Sequence, residues 1–232
     1  MSNIRLFFKE SLSLNLNSTL DKSQSYYLLK VMRINIGKTF SLFNQSGEWE
    51  AKVDNINKGN VEFTIIKKIR SAESTKEICL AFAPIKLNYL NLMIQKATEL
   101  GITKFIPILT DRTIVRKLNY ERINKIIIEA SEQSNRLNVP EFHEIIKFDE
   151  FIKEYKKAKI IFGDINSNNS NLSLKNSNSI CILVGPEGDF TVEERNKILK
   201  LENITSLKVN ENILRSETAA LSMISIISFK LL

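Results

Sequence analysis

Apolar and polar residues alternate with a period of two through TFSLFN (39–44), EWEAKVDNI (48–56) and VEFTIIKKI (61–69), the pattern of half-buried β-strands. Turn-forming residues separate them, first Asn44-Gln45-Ser46-Gly47 and then Asn57-Lys58-Gly59-Asn60. Strands this short and closely spaced predict a small barrel. Ahead of them, SYYLLKVMR (25–33) predicts one helix, and Gly37 marks a turn out of it. From about residue 75 the rhythm changes to strand, helix, strand. ICLAFA (78–83) is an apolar strand, and Asn88 is placed to cap a helix carrying Leu90, Met93, Ile94, Ala97 and Leu100 on one stripe, stopped by Gly101. KFIPIL (104–109) predicts the next strand, and a helix over about 119–134 repeats the stripe with Ile123, Ile126, Ile127 and Ala130. A shorter helix follows at 149–157, then strands at 159–165, 179–185 and 204–209, with an Asn/Ser-rich loop over 166–179. Such alternation predicts a mostly parallel sheet covered on both faces, hence an α/β domain. The domain boundary falls at the change of rhythm, dividing the chain into 1–72 and 73–232.

Composition narrows the function. Of 232 residues 43% are hydrophobic, enough for a sizeable core, and no apolar run reaches the roughly 18 residues of a membrane span. The N-terminus lacks the long apolar stretch of a signal peptide, so a cytoplasmic protein without membrane attachment is expected. Cys79 and Cys181 sit inside apolar runs and read as buried thiols. With His143 as the only histidine there are too few ligands for a zinc site, and no metal is expected. The lone histidine also argues against Ser-His or Cys-His nucleophilic catalysis. A formal charge of +7 favours a polyanionic partner such as nucleic acid. Residues 1–74 carry 11 Lys/Arg against 7 Asp/Glu, which makes this shorter part the more basic per residue.

Two loops carry candidate chemistry. In ICILVGPEGDFTVEERNKILK an apolar strand ends at Val184, a Gly-Pro-Glu-Gly loop follows, and a helix opens on a Thr191/Glu194 capping box with Glu193 set to pair with Lys197. Glycines there let backbone approach a ligand or take positive φ, and such a loop after a parallel strand is where open sheets bind ligands. Read alone, it fits a tight connection without a ligand equally well. Neither a G-x-x-x-x-G-K-[ST] nor a G-x-G-x-x-G pattern is present, which disfavours P-loop and dinucleotide sites. In KVNENILRSETAALSMISIISFKLL a strand ends near Val209, and Ser216 is placed to cap a final helix with Glu217 in its first turn. Free N–H groups there face a ligand beside Arg215, unless Arg215 serves a salt bridge.

With these loops in view, the chain resembles the RsmE family of SPOUT methyltransferases, which methylate N3 of a uridine in small-subunit ribosomal RNA. The motifs run in order: Arg5-Leu6-Phe7-Phe8, Leu28–Arg33 with Gly37, Lys86, Lys96–Gly101, Pro107, Asp111-Arg112-Thr113, Glu129–Arg136, Pro140, Gly185–Gly188 and Ile213–Ala219. The resemblance implies a PUA-like RNA-binding barrel, then a methyltransferase domain whose C-terminal chain is threaded into a trefoil knot. It implies S-adenosylmethionine as cofactor, held by Phe162 and Gly163, by Val184, Gly185, Pro186, Glu187 and Gly188, and by Val209, Asn210, Asn212, Ile213, Leu214, Arg215, Thr218 and Ala219. It also implies a homodimer, which fits a final helix whose Leu221, Met223, Ile224, Ile226, Ile227 and Phe229 spread over more than one face.

Departures from the family pattern are Tyr26 or Tyr27 in place of histidine, Asp189 for a second glycine, and Asn210 for glycine. N3 methylation requires an unpaired base, loss of the N3 proton, and stabilisation of charge on O2 or O4. On that chemistry Arg215 is expected to meet the developing charge, Glu217 to order the loop or accept the proton, and Arg136 with Gln133 to hold the RNA. Phosphate contacts are expected from Arg5, Lys30 and Arg33, extended by Arg112 and Arg116. The competing readings are another SPOUT activity, on ribose 2′-O or a tRNA base, and a non-catalytic RNA-binding protein of ribosome assembly.

Overall fold

A computed structural model describes residues 4–72, 76–172, 174 and 179–231. Its contacts divide the chain into two units, Met1–Ser74 with Ser131–Val139, and Thr75–Ala130 with Pro140–Leu232. Residues 73–75, beside the expected boundary, and 173 and 175–178 of the expected Asn/Ser-rich loop lie outside the described residues.

The first unit is a five-stranded sheet in the order β1-β3-β4-β5-β2. Its strands are β1 (Arg5–Phe7), β2 (Asn17–Thr19), β3 (Thr39–Asn44), β4 (Gly47–Asn57) and β5 (Asn60–Ser71). β1 runs parallel to β3 and the remaining pairs are antiparallel. The three strands read from alternation are present, with Gly47 and Gly59 at positive φ in the turns. Phe40, Leu42, Trp49, Ala51, Val53, Val61, Phe63 and Ile65 supply one core from their alternate positions. The expected helix over 25–33 is instead a short α1 (Lys22–Tyr26), capped by Asp21, running into a π-helical turn over Tyr27–Val31. There the Met32 amide reaches back five residues to the Tyr27 carbonyl at 3.0 Å.

The second unit is a parallel sheet in the order β12-β10-β11-β6-β7-β8, with β9 also pairing β7. In chain order it comprises β6 (Glu77–Phe82), α2 (Leu87–Glu99), β7 (Lys104–Leu109), α3 (Tyr120–Gln133), β8 (Glu141–Phe142), β9 (Ile146–Lys147), α4 (Phe148–Glu154), β10 (Ile160–Gly163), β11 (Ser179–Val184), α5 (Val192–Leu199), β12 (Ile204–Leu207) and α6 (Ser216–Leu231). α6 packs on α2 and on β10 and β11, α4 against β7, and α5 against β12. The central strands are buried along nearly their whole length, as a sheet covered on both faces requires. Among the described residues no helix is long and apolar enough to cross a membrane.

Local details depart from expectation where a partner distant in sequence intervenes. α2 begins one residue before Asn88, with Lys86 at its N-cap and no side-chain cap. Lys197 pairs with Asp149 at 2.7 Å rather than with Glu193. Ser216 is the first residue of α6, and its hydroxyl donates to the Gly185 carbonyl at 2.7 Å instead of accepting from its own helix.

Candidate functional site

β12, β10 and β11 lie side by side and parallel, so their C-terminal ends open at one edge of the sheet. Beyond those ends, residues 163–165, 184–187, 189, 207–210, 212–216 and 219 line a cleft of about 280 Å³. Strand-to-helix loops converge there, at the carboxyl ends of parallel strands where open sheets bind ligands. Of the residues expected to hold a cofactor, Gly163, Val184, Gly185, Pro186, Glu187, Val209, Asn210, Asn212, Ile213, Leu214, Arg215 and Ala219 line this cleft. Phe162 is buried in the core beneath it, and Gly188 and Thr218 lie in the same segments off the lining.

The glycines serve close packing. A Cβ on Gly163 would stand 2.6 Å from the Met223 sulfur, and one on Gly185 would stand 3.0 Å from the Phe190 ring. Neither takes positive φ, nor does Gly188; Asp189 does, at φ = 59°. That conformation costs a non-glycine residue about 1–2 kcal/mol. The Asp189 amide donates to the Pro186 carbonyl at 2.9 Å, and its Oδ1 accepts from the Phe190 amide at 2.8 Å. Asn210 is not left-handed either; its Oδ1 accepts from the Asn212 amide at 2.8 Å, and this turn makes the bend.

Two buried carboxylates brace the cleft. Glu194 closes the expected capping box, accepting from the Thr191 amide at 2.9 Å, and its other oxygen accepts from the Asp111 amide at 2.9 Å. Asp164, at the end of β10 and on the cleft lining, accepts a two-pronged bond from Arg195 and a bond from the Ser206 hydroxyl at 3.1 Å. That pairing holds the Arg195 guanidinium above its ordinary pKa. Asp189, Ile165, Leu207, Lys208 and Ser216 also line the cleft. Sequence reading placed Asp189 and Ser216 within the two site loops but did not single out Asp164, Ile165, Leu207 or Lys208, although Asp164 and Ile165 directly follow the glycine it did single out.

Arg215 lines the cleft from the loop before α6 and is exposed. Its Nη1 donates to the Tyr89 hydroxyl at 2.9 Å, and its guanidinium lies 5.2 Å from the centre of that ring. Glu217 is buried in the first turn of α6, off the lining.

The expected RNA contacts divide. Lys30 and Arg33 are exposed, the latter at φ = 52° just after the π-helical turn. Arg112 and Arg116 are exposed, and Arg112 donates to the Gly188 carbonyl at 2.6 Å. Arg5 is not available as a surface cation, being only 9% exposed. It pairs with Glu48 at 3.1 Å, lies 3.8 Å from the centre of the Phe43 ring, and donates to the carbonyls of Ser131, Glu132 and Arg136. Burial pulls its pKa down and Glu48 opposes that. Gln133 is exposed, whereas Arg136 donates to the Asn138 carbonyl at 3.2 Å and burial lowers its pKa to about 10. Both belong to the 131–139 segment of the first unit rather than to the cleft.

The cleft offers apolar surface from Val184, Pro186, Leu207, Val209, Ile213, Leu214 and Ala219 beside the carboxylates of Asp164, Glu187 and Asp189. Apolar walls with a few polar groups are the make-up of a small-molecule site. Among the described residues no group of three His, Cys, Asp or Glu could hold a metal ion.

The chain is similar to several known proteins. Residues 72–228 match the family model for an RNA methyltransferase domain, and residues 20–66 match that for an RNA methyltransferase PUA domain. The ribosomal RNA small subunit methyltransferase E of Rickettsia conorii is 34% identical over 206 residues, covering 86% of this chain and 84% of its own. Its namesake from Bacillus subtilis is 29% identical, covering 88% and 87%. The crystal structure of the methyltransferase E from Neisseria gonorrhoeae bound to S-adenosyl methionine superposes with a TM-score of 0.88 at 27% identity, covering 98% of this chain and 97% of that one.

Proposed function

Because this chain belongs to the RNA methyltransferase family, we propose that it transfers a methyl group from S-adenosylmethionine to N3 of one uridine in small-subunit ribosomal RNA. The observation that carries the reading is the cleft at the ends of β10, β11 and β12, lined by the loops the resemblance assigns to the cofactor. Its apolar lining suits the adenine, and Glu187 and Asp189 suit the positive charges of the ligand. When bound there, S-adenosylmethionine supplies an electrophilic methyl group.

The residues of the chain do the rest. The N3 proton must leave and the uracil oxygens gain charge, which Arg215 meets from the rim of the cleft. Glu217, buried at the start of α6, holds the loop that carries Arg215. Most of the acceleration comes from alignment of the base with the methyl group, a proximity effect. Lys30 and Arg33 take RNA phosphates, joined by Arg116, with Gln133 and Arg136 weaker candidates for holding the strand. The chain is threaded as a trefoil knot and works in the cytoplasm as a homodimer. Phe229 of α6, 74% exposed, and Leu92 of α2 provide apolar surface for the partner copy.

Calorimetry with S-adenosylmethionine should give one site per chain. Mass spectrometry of ribosomal RNA from a strain lacking the gene should show loss of a single N3-methyluridine; an unchanged modification profile sinks the proposal.

A further inference from the structure

An arginine on a surface loop samples many rotamers, and ordering it costs side-chain entropy at the moment it must act. Arg215 has a partner on a helix. Tyr89, in the first turn of α2, accepts from its Nη1 at 2.9 Å and places a ring face 5.2 Å from its guanidinium. Tyr89 is 126 residues away in sequence and does not line the cleft. Its helix is held rigidly by the buried Leu90, Met93, Ile94 and Ala97. The phenol oxygen takes only one of the five N–H groups of the guanidinium, leaving others to meet a base.

We propose that Tyr89 is a positioning residue for methyl transfer, fixing the Arg215 guanidinium at the rim of the cleft before the nucleobase arrives. The inference rests on the reading that Arg215 meets charge on the base. Its physical content is preorganisation: a donor already aimed at the developing charge does not have to be ordered during the reaction.

Tyr89→Phe keeps the ring and removes the acceptor, whereas Tyr89→Leu removes both. Tyr89→Phe should lower kcat about tenfold, with KM for S-adenosylmethionine and for ribosomal RNA within about twofold, and Tyr89→Leu should lower kcat further. In an Arg215→Lys background, Tyr89→Phe should cost less than about twofold more, because the two residues act as one unit. A full-strength loss in that background overturns the proposal. So does an unchanged or raised kcat in Tyr89→Phe, or a kcat loss accompanied by a matching fall in melting temperature.

A readout independent of activity is the Arg215 side-chain Nη–H signal in nitrogen-15-labelled protein, identified by its absence in Arg215→Lys. It should exchange faster with water in Tyr89→Phe than in the native chain, and equal exchange would show that Tyr89 orders nothing. If the native protein methylates no uridine, the functional reading fails on its own, and the exchange comparison still decides whether Tyr89 positions Arg215.

Discussion

Asp189 holds a left-handed backbone at the point where the cleft loop turns toward α5. Its carboxylate bonds the next amide and so offsets part of the conformational cost. Asp189→Gly should therefore change unfolding free energy by no more than about 1 kcal/mol, while Asp189→Val, which loses the bond and is β-branched, should destabilise by about 2 kcal/mol in urea titrations. Arg215→Ala should abolish methylation while leaving circular dichroism and the melting temperature close to native; full activity in that variant would falsify its assigned role. Cys79 and Cys181 face each other across the parallel pair β6 and β11 and are both buried. Burial pushes the Cys79 thiol from 9.0 to about 12, and the Cys181 thiol upward as well. A raised folded pKa favours the native state fully below the unfolded value, and that contribution is lost as pH rises toward the folded one. Denaturant midpoints should thus fall as pH rises from about 9 toward about 12, and replacing both cysteines by alanine should flatten that fall.

At the level of elements, the readable features were those whose determinants lie within a few residues. The Thr191/Glu194 box is local and formed as expected, and the period-two runs became β3, β4 and β5. What the sequence could not disclose were second partners. The other Glu194 oxygen bonds Asp111, 83 residues earlier, and the Ser216 hydroxyl is drawn to Gly185, 31 residues earlier. Neither pairing leaves a periodic trace. Thr191→Ala should cost about 1 kcal/mol, as a lost helix cap does. Glu194→Ala strips the acceptor from two amides in part-buried surroundings and should cost about 2–3 kcal/mol. It should also weaken S-adenosylmethionine binding, because the loop before α5 loses its anchor. β8 and β9, two residues each, were too short to show in any alternation, and the π-helical turn after α1 looks in sequence like continuing helix.

On the scale of the whole molecule, the net charge of +7 sets how the protein meets a polyanion, and the affinity for ribosomal RNA should fall steeply with salt. Lys30→Ala and Arg33→Ala should each lower the salt-dependence slope by about one counterion and weaken binding a few-fold. The return of residues 131–139 to the first unit was not legible in the sequence. It depends on carbonyls, which no side-chain pattern reports. The buried Arg5 has a consequence in time. Its carbonyl partners begin 126 residues further along the chain. At a synthesis rate of about 5–20 residues per second, they follow it out of the ribosome by roughly 6–25 seconds. During that interval the nascent first unit holds a half-compensated charge where its finished form is sealed. It therefore reaches its final stability only after most of the first half of the second unit has been made, so a chain truncated near residue 72 should be more open to proteases than its own core predicts.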